Sequence, residues 1–479
     1  MSAVQPDKID ITPSLHDGST LEAEVPPLPA KLRRKIDIRV VTSLAFLYFF
    51  AFLDRINLGN AMIFGLREDL KLKGVEENLL VFIFFIPYVL FEAPCNLLMK
   101  RLRPSITLSA CCLGFGIITL CQAFTTNFAG LMVCRVVLGA FEAGILPGIW
   151  YLLATWYRRE ESGKRFAAIY VGIGLSGAFG GLFAGAIGKM KGVRGLSGWK
   201  WIFILEGILT IIAAFISYFA VPDFPEDVNW LTEEEKTVVI NRLKSDIGES
   251  GRHDPVTLKS ILGQFKDYKF VCGGIMYFGI MLQGHAFSFF GPTIIRAQGY
   301  TADETQYRTV PLWIVGCVLT LALSYLSDKY KHRYAFAVFS YAIFVVSALM
   351  LRFVRGNQDA LYAAMFLLFM GSMTAAPLVV GWWSTNLVGH KEKVIGTAYI
   401  LMMGNVAGVP ASFMFQKEDA PHYEKGFTIG LVMSLVAFLA TTVYFVGCLR
   451  ENKRAMRVYE CHQGEGGRSS NEKPFQYQL

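Results

Sequence analysis

The sequence predicts an all-α polytopic membrane protein with twelve transmembrane helices in two six-helix halves. Three observations carry this. Of 479 residues, 53% are hydrophobic and only 18% charged, where a soluble chain of this length carries about 25% charge. Mean hydropathy is correspondingly high, at +0.41. Apolar runs near the length a bilayer-crossing helix needs, about 20 residues, recur about twelve times. A polar, charge-mixed stretch, 222–269, separates six of these runs from the other six.

In order, the first half (40–221) has spans expected over 40–64, 79–99, 106–124, 128–155, 166–187 and 201–221. The second half (270–449) has spans expected over 270–291, 310–326, 334–353, 361–388, 394–415 and 427–449. Residues 1–39 form a polar arm with several prolines and no short apolar stretch before it, so no cleavable signal peptide is expected and the first span does the targeting. In the linker, Thr232 followed by Glu235 is a capping box that opens a short amphipathic helix to about Leu243. The tail, 450–479, is polar.

An even number of spans puts both termini on one side, and the positive-inside rule chooses that side. Lys31, Arg33, Arg34, Lys35 and Arg39 precede span 1, and Lys100, Arg101 and Arg103 follow span 2. Arg158, Arg159, Lys164 and Arg165 follow span 4; Lys329, Lys331 and Arg333 follow span 8; Arg450, Lys453, Arg454 and Arg457 follow span 12. Both termini are therefore expected in the cytoplasm. Lys189, Lys191, Arg194 and Lys200 dissent. This placement accounts for the net charge of +8 without a nucleic-acid partner. The nine cysteines lie mostly inside apolar runs without a C-x-x-C spacing, which supports neither a metal site nor a disulfide framework. No nucleophile–base pair, metal cluster or cofactor loop stands out, so an enzyme is not expected.

The chemistry concentrates in span 1, which reads A-F-L-D-R-I-N-L-G-N-A from Ala51 to Ala61. Asp54, Arg55, Asn57 and Asn60 fall at bilayer depth, where one ionisable side chain costs about 2.5–3.5 kcal/mol by insertion scales. Either an Asp–Arg pair pins helices together or the stretch is a binding and proton site. Span 4 adds Arg135 and Glu142, seven residues apart and so on one helix face. At about 1.5 Å per residue, Asp54 lies roughly 21 Å above the start of span 1 and Arg135 about 10 Å below the far end of span 4. Those depths coincide in a core of about 30 Å. Asp54 and Arg135 are therefore expected to interact, Glu142 to lie deeper, and Arg55 to lack a fixed partner. An unpaired guanidinium is a natural seat for a substrate carboxylate. Asp54 and Glu142 become proton carriers, since their neighbours change with substrate.

Tyr88 and Asn405 lie near mid-depth, each suited to bond a substrate or a neighbouring helix. Trp383 is either an interface-belt residue or a pore-lining one, and His285 is expected to be a packing histidine at the outer end of span 7. Gly177-x-x-x-Gly181-x-x-x-Gly185 in span 5 is a small-residue seam for close helix contact.

The layout resembles the major facilitator superfamily over essentially its whole length. S-Y-L-S-D-K-Y-K-H-R at 324–333 looks like that superfamily's signature loop, with Ser324 where Gly is usual. The equivalent K-R-L-R-P at 100–104 lacks the acidic residue. L-D-R-I-N-L-G-N-A in span 1 and R-x-x-x-G-x-x-E-A-G-x-x-P-G in span 4 resemble the anion:cation symporter family. The fungal allantoate/nicotinate-permease-like branch is indicated by W-K-W-I-F-I-L-E-G (199–207), V-P-D-F-P-E-D (221–227), G-P-T-I-I-R-A-Q-G-Y (291–300) and D-A-P-H-Y (419–423).

The resemblance implies proton-driven symport of organic anions by alternating access. It implies an anion-binding role for Arg55, proton coupling by Asp54 and Glu142 with Arg135 as partner charge, and cavity positions for Tyr88 and Asn405. Antiporters of the superfamily usually carry G-P in span 5, where this chain has Gly177-Ala178. The expectation is a monomeric importer of a small carboxylate in the plasma membrane of a fungal-type cell. It needs no cofactor beyond the coupling proton, and Asp328, Lys329 and Arg333 gate the cytoplasmic side. The rivals are an efflux antiporter of the same fold and a transporter-derived nutrient sensor.

Overall fold

The structure is a computed structural model that describes residues 28–247, 258–330, 332–387 and 390–464. Its first six crossings are α1 (Ala30–Ile63), α3 (Glu76–Arg101), α4 (Pro104–Gln122), the broken pair α5 (Phe128–Glu142) and α6 (Ile145–Trp156), α7 (Arg159–Gly188) and α8 (Gly198–Ala220). The one-turn α2 (Leu66–Asp69) follows α1, and α9 (Glu233–Ile247) and α10 (Leu258–Gln264) lie in the linker. The last six crossings are α11 (Tyr268–Ala297), α12 (Ala302–Tyr330), α13 (Arg333–Phe353), α14 (Gln358–Thr385), the broken pair α15 (His390–Val406) and α16 (Gly408–Ala411), and α17 (Glu424–Gly464).

Among the described residues, eleven crossings are long and apolar enough to span a bilayer, against the twelve expected. The eleventh in chain order is the exception: its apolar helix runs only over Ile395–Ala411. Pro410 has no N–H to offer the Val406 carbonyl, which marks the break between α15 and α16. Pro147 acts the same way on the Ala143 carbonyl and divides the fourth crossing into α5 and α6. Polar caps start several helices. Asn127 accepts from Gly130 N at 2.7 Å, and Asn357 accepts from Ala360 N at 3.0 Å. Thr232 and Glu235 exchange bonds of 3.1 and 3.2 Å at the start of α9, which runs on to Ile247, past the expected end near Leu243.

The two halves repeat one packing scheme. α4 packs on α8 as α13 packs on α17; α3 packs on α5 as α12 packs on α14; α1 packs on α8 as α11 packs on α17. Across the halves, α7 packs on α12, α1 on α11, and α3 on α15 and α16. The glycine seam of α7 is one of these joints: a side chain at Gly177 would strike the Trp313 ring of α12. Gly59 lets α1 approach the Phe289 carbonyl of α11 just as closely.

On the face opposite the chain termini the halves are bonded together. Asn78 Nδ2 donates to the Ser412 and Phe415 carbonyls at 2.7 and 3.0 Å, and Arg296 Nη1 donates to the Ile63 carbonyl at 2.5 Å. Arg67 and Glu77 pair beside them, and Phe82 meets Phe413 at 5.4 Å. On the terminus face, α9 is tied to the first half. Lys35 donates to Glu235 at 2.6 Å, Arg242 pairs with Glu161 at 2.9 Å, and Trp230 stacks on Trp156 at 5.3 Å.

Candidate functional site: a central cavity with a buried charge cluster

Between the halves lies a cavity lined by residues of both. Its wall is mostly aromatic, with Tyr48, Phe52, Tyr170, Tyr277, Trp313 and Phe369 supplying flat apolar faces. The polar groups on the wall are few: Arg55, His285, Ser288, Ser372 and Asn405.

Among the described residues, Arg55 is the only Lys or Arg on that wall, and it is 6% exposed. Its guanidinium lies over the rings of Tyr88 (5.0 Å) and Phe84 (5.4 Å) in α3, contacts that orient and stabilise the cation. Arg55 also has a fixed acidic partner, contrary to the expectation from sequence. Its Nε donates to Glu142 Oε1 at 2.9 Å and its Nη2 donates to the same oxygen. Glu142 Oε2 is buried with no partner.

Asp54 and Arg135 were expected to interact, and they form no ion pair. Asp54 accepts a long bond of 3.5 Å from Asn57, and its Oδ2 is buried without a partner. Arg135 is 1% exposed, with Nε and Nη2 unpartnered, and it lies within the electrostatic reach of both Asp54 and Glu142. The discrepancy has a geometric cause. Depth arithmetic fixes height along a helix and says nothing about azimuth. Asp54 and Arg55 are neighbours in sequence and so point about 100° apart. Arg55 turns to α3, α5 and the cavity, while Asp54 turns to Thr119 of α4 and Thr210 of α8. The long arginine side chain then covers the height difference to Glu142.

Of the other expected site residues, Asn405 lines the cavity and donates to Glu92 Oε2 of α3 at 3.0 Å, a contact between the halves. Tyr88 is not on the cavity wall; it meets the cavity only through Arg55. Trp383 is a correction. It is buried away from the cavity, against Phe270 at 5.7 Å, in a slot that Gly273 and Gly396 leave open. His285 is a correction too, since it lines the cavity, with its Nε2 3.2 Å from the Gly404 carbonyl.

For the expected gate, the side chain of Asp328 and all of Lys331 lie outside the described residues. Lys329 is exposed beside the Tyr330 ring, and Arg333 lies against Gly381 of α14. Sequence reasoning missed Glu92 and Glu206, each a lone acid in an apolar run, which is the signal that would have found them.

Residues 44–443 match the model of the Major Facilitator Superfamily. The chain is 34% identical over 415 residues to the uncharacterized transporter C1002.16c of Schizosaccharomyces pombe, covering 86% of this chain and 81% of that one. It is 33% identical over 428 residues to the major facilitator-type transporter hxnP of Emericella nidulans, covering 88% and 86%. Among solved structures it is similar to a bacterial homologue of the human lysosomal transporter Spinster in an inward-facing, unoccupied conformation. There the TM-score is 0.61 and the identity 16%, over 87% of this chain and 97% of that one.

Proposed function

Because the chain belongs to the major facilitator superfamily, a family of membrane transporters, we propose that it is a proton-coupled symporter that imports a small organic anion by alternating access. The observation that carries this reading is Arg55, buried in the cavity wall and held by one oxygen of Glu142. A guanidinium has a fork of donors that suits both oxygens of a carboxylate, and Glu142 uses one. An incoming carboxylate offers two oxygens and displaces Glu142. A displaced Glu142, with Arg55 neutralised by the substrate, takes up a proton rather than remain a buried carboxylate. Substrate and proton thus enter together, and the occupied site carries the same charge as the empty one.

The aromatic wall favours a flat apolar body behind the carboxylate, and one cavity-facing cation favours a monoanion. Asn405 and His285 are placed to bond polar atoms of that body. Tyr88 holds Arg55 in position. Asp54, with Arg135 as its partner charge, is the second proton carrier, behind the site. Asp328, Lys329 and Arg333 act as the gate on the terminus face. With both termini in the cytoplasm of a plasma-membrane protein, the bonded face at Asn78, Arg67 and Arg296 is the outer one, so this conformation is closed to the outside.

The test is uptake of labelled nicotinate, allantoate, pantothenate and biotin into proteoliposomes under an imposed proton gradient. One of these acids is expected to accumulate, with the accumulation abolished by an uncoupler. Arg55→Lys keeps the charge and loses the fork, so it is expected to lose uptake by 10-fold or more, in keeping with about 1.5–3 kcal/mol for a charged hydrogen bond. Export in place of accumulation, or full uptake by Arg55→Lys, overturns the reading.

A further inference from the structure

Behind the cavity wall, α1, α4 and α8 pack together around a cluster of buried polar side chains. Glu206 of α8 is 0% exposed, and neither carboxyl oxygen has a hydrogen-bond partner. Asp54 lies within its electrostatic reach, with Asn57 beside both carboxyls. Thr119 of α4, Thr210 of α8 and Asn57 Oδ1 are buried there with unpartnered polar atoms, as are Arg135 Nε and Nη2. The heights agree with this placement. Glu206 is eight residues from the start of α8 and Asp54 nine from the end of α1, roughly 12–14 Å below the same face at 1.5 Å per residue.

Charge counting makes this cluster informative. Two guanidinium groups, Arg55 and Arg135, share this buried layer with three carboxyls, Asp54, Glu142 and Glu206. The cluster is neutral when the three acids hold one proton between them. Glu142 is ionised against Arg55. Asp54 feels Arg135 as well as its amide neighbour Asn57. Glu206 has only the Asn57 amide beside it and no nearby cation, and an ionised carboxylate so placed is strongly disfavoured. Of the three acids, Glu206 is thus the one with no cation to hold it ionised.

We propose that Glu206 is a third proton-holding residue of the transport cycle, paired with Asp54 in a buried cluster that is not part of the cavity wall. When Asp54, protonated in another conformation, releases its proton toward the cavity, the Glu206 O–H breaks and the Asp54 O–H re-forms. The charge left on Glu206 is then met by the Thr210 hydroxyl and the Asn57 amide turning toward it, and the pair titrates as one unit. The titratable group facing Glu206 is Asp54 from α1, and Cys112 of α4 and Arg135 and Glu142 of α5 face Asp54 in turn. From α7, Tyr170 faces the cavity instead.

This inference rests on the proton-coupled reading above, and its test separates the two. Wild type, Glu206→Gln and Glu206→Asp are compared in proteoliposomes, with nicotinate or whichever acid of the panel wild type accumulates. Counterflow exchange needs binding and conformational change but no net proton movement. Glu206→Gln is expected to keep counterflow within about twofold, to lose gradient-driven accumulation at least 10-fold, and to flatten its pH profile. Glu206→Asp is expected to restore both.

If Glu206 only donates a structural hydrogen bond, Gln keeps gradient-driven uptake and its pH profile, and the proposal is overturned. If Glu206→Gln fails to fold, infrared spectra of wild type and Glu206→Asp decide. A protonated-carboxyl band at neutral pH that moves with the Asp substitution supports the proposal, and its absence overturns it. Wild type without proton-driven accumulation refutes the function proposed above, while the infrared band still tests whether Glu206 holds a proton.

Discussion

The two halves share one packing scheme and differ sharply in what they bury. In the first half, α1, α5 and α8 bury Asp54, Arg55, Arg135, Glu142 and Glu206. In the second, the buried polar residues of the spans include no Asp, Glu, Lys or Arg among the described residues: they are Gln283, His285, Gln306, Asn405 and hydroxyl side chains such as Ser372. Each of several of these has an ordinary partner within its own half, as Gln283 has in the Gly430 carbonyl at 2.5 Å and Ser434 at 2.7 Å. The same helical frame therefore buries charge in the first half alone, while both halves supply aromatic faces to the cavity and the second adds neutral hydrogen-bonding groups. On the proposed function, proton coupling falls to the first half and the second supplies only neutral contacts to the substrate, so substitutions in the two should fail differently.

The largest effect is expected from separating Arg55 and Glu142. Glu142→Leu leaves a guanidinium buried without its partner, which costs about 3–5 kcal/mol. The melting temperature in detergent should drop clearly, and uptake should be lost. Arg55→Met with Glu142→Leu removes both charges, so the melting temperature should recover while uptake stays absent. Unchanged melting in Glu142→Leu would break the view that the first half holds its charges by pairing.

Next comes the joint between the halves. Gly177→Leu drives a branched side chain into the Trp313 ring of α12. Overpacking of this kind typically costs about 1–3 kcal/mol, which the bundle survives. Expression and folding should persist, while transport falls sharply because α7 and α12 no longer pass through the close-packed arrangement. If Gly177→Leu transports normally, the seam is not a moving contact.

Much of this was legible in the sequence, and the boundary is physical. Span count, linker and capping box follow from composition and spacing, which one-dimensional order carries directly. The charged positions in the first and fourth crossings were also plain, because ionisable residues in apolar runs are rare. The partners were not. Asp54 and Arg55 differ by one residue, yet one faces α4 and α8 and the other faces α3, α5 and the cavity. That choice depends on the rotation of α1 within the bundle, which is set by contacts such as Gly59 on Phe289. Trp383 misled for a related reason: a tryptophan near a span end reads as a belt or pore residue, and only the facing Gly273 and Gly396 reveal its slot. His285 was read as packing because a single histidine carries no sign of the cavity beside it.

A smaller effect is expected on the neutral wall. Asn405→Ala and His285→Ala each remove one hydrogen-bonding group from the cavity, worth about 0.5–1.5 kcal/mol, or up to roughly 10-fold in KM. Folding should be unaffected, and proton coupling, measured as the pH profile of uptake, should keep its shape. Trp383→Phe, away from the cavity, should leave KM unchanged. A changed pH profile in His285→Ala would move proton chemistry into the second half and undo the comparison.

The smallest effect lies outside the membrane, where α9 ties the linker to the first half. The Glu235 carboxyl is held below its ordinary value of 4.5, chiefly by the bond from Lys35 and then by the Thr232 N–H. A depressed folded value means the pair contributes fully above the ordinary carboxylate range and loses its contribution as pH falls through the folded value. Both side chains are partly solvated, at 36% and 28% exposure, so the contribution is limited to about 0.2–1 kcal/mol. Lys35→Met should therefore lower the melting temperature slightly at pH 7, by less at high salt, and not at all once Glu235 is protonated. No such tie joins α9 to the second half among the described residues. A larger and salt-insensitive loss in Lys35→Met would mean that the packing of Lys35 and Arg39 on Trp230, at 6.0 and 4.8 Å, holds the linker helix instead.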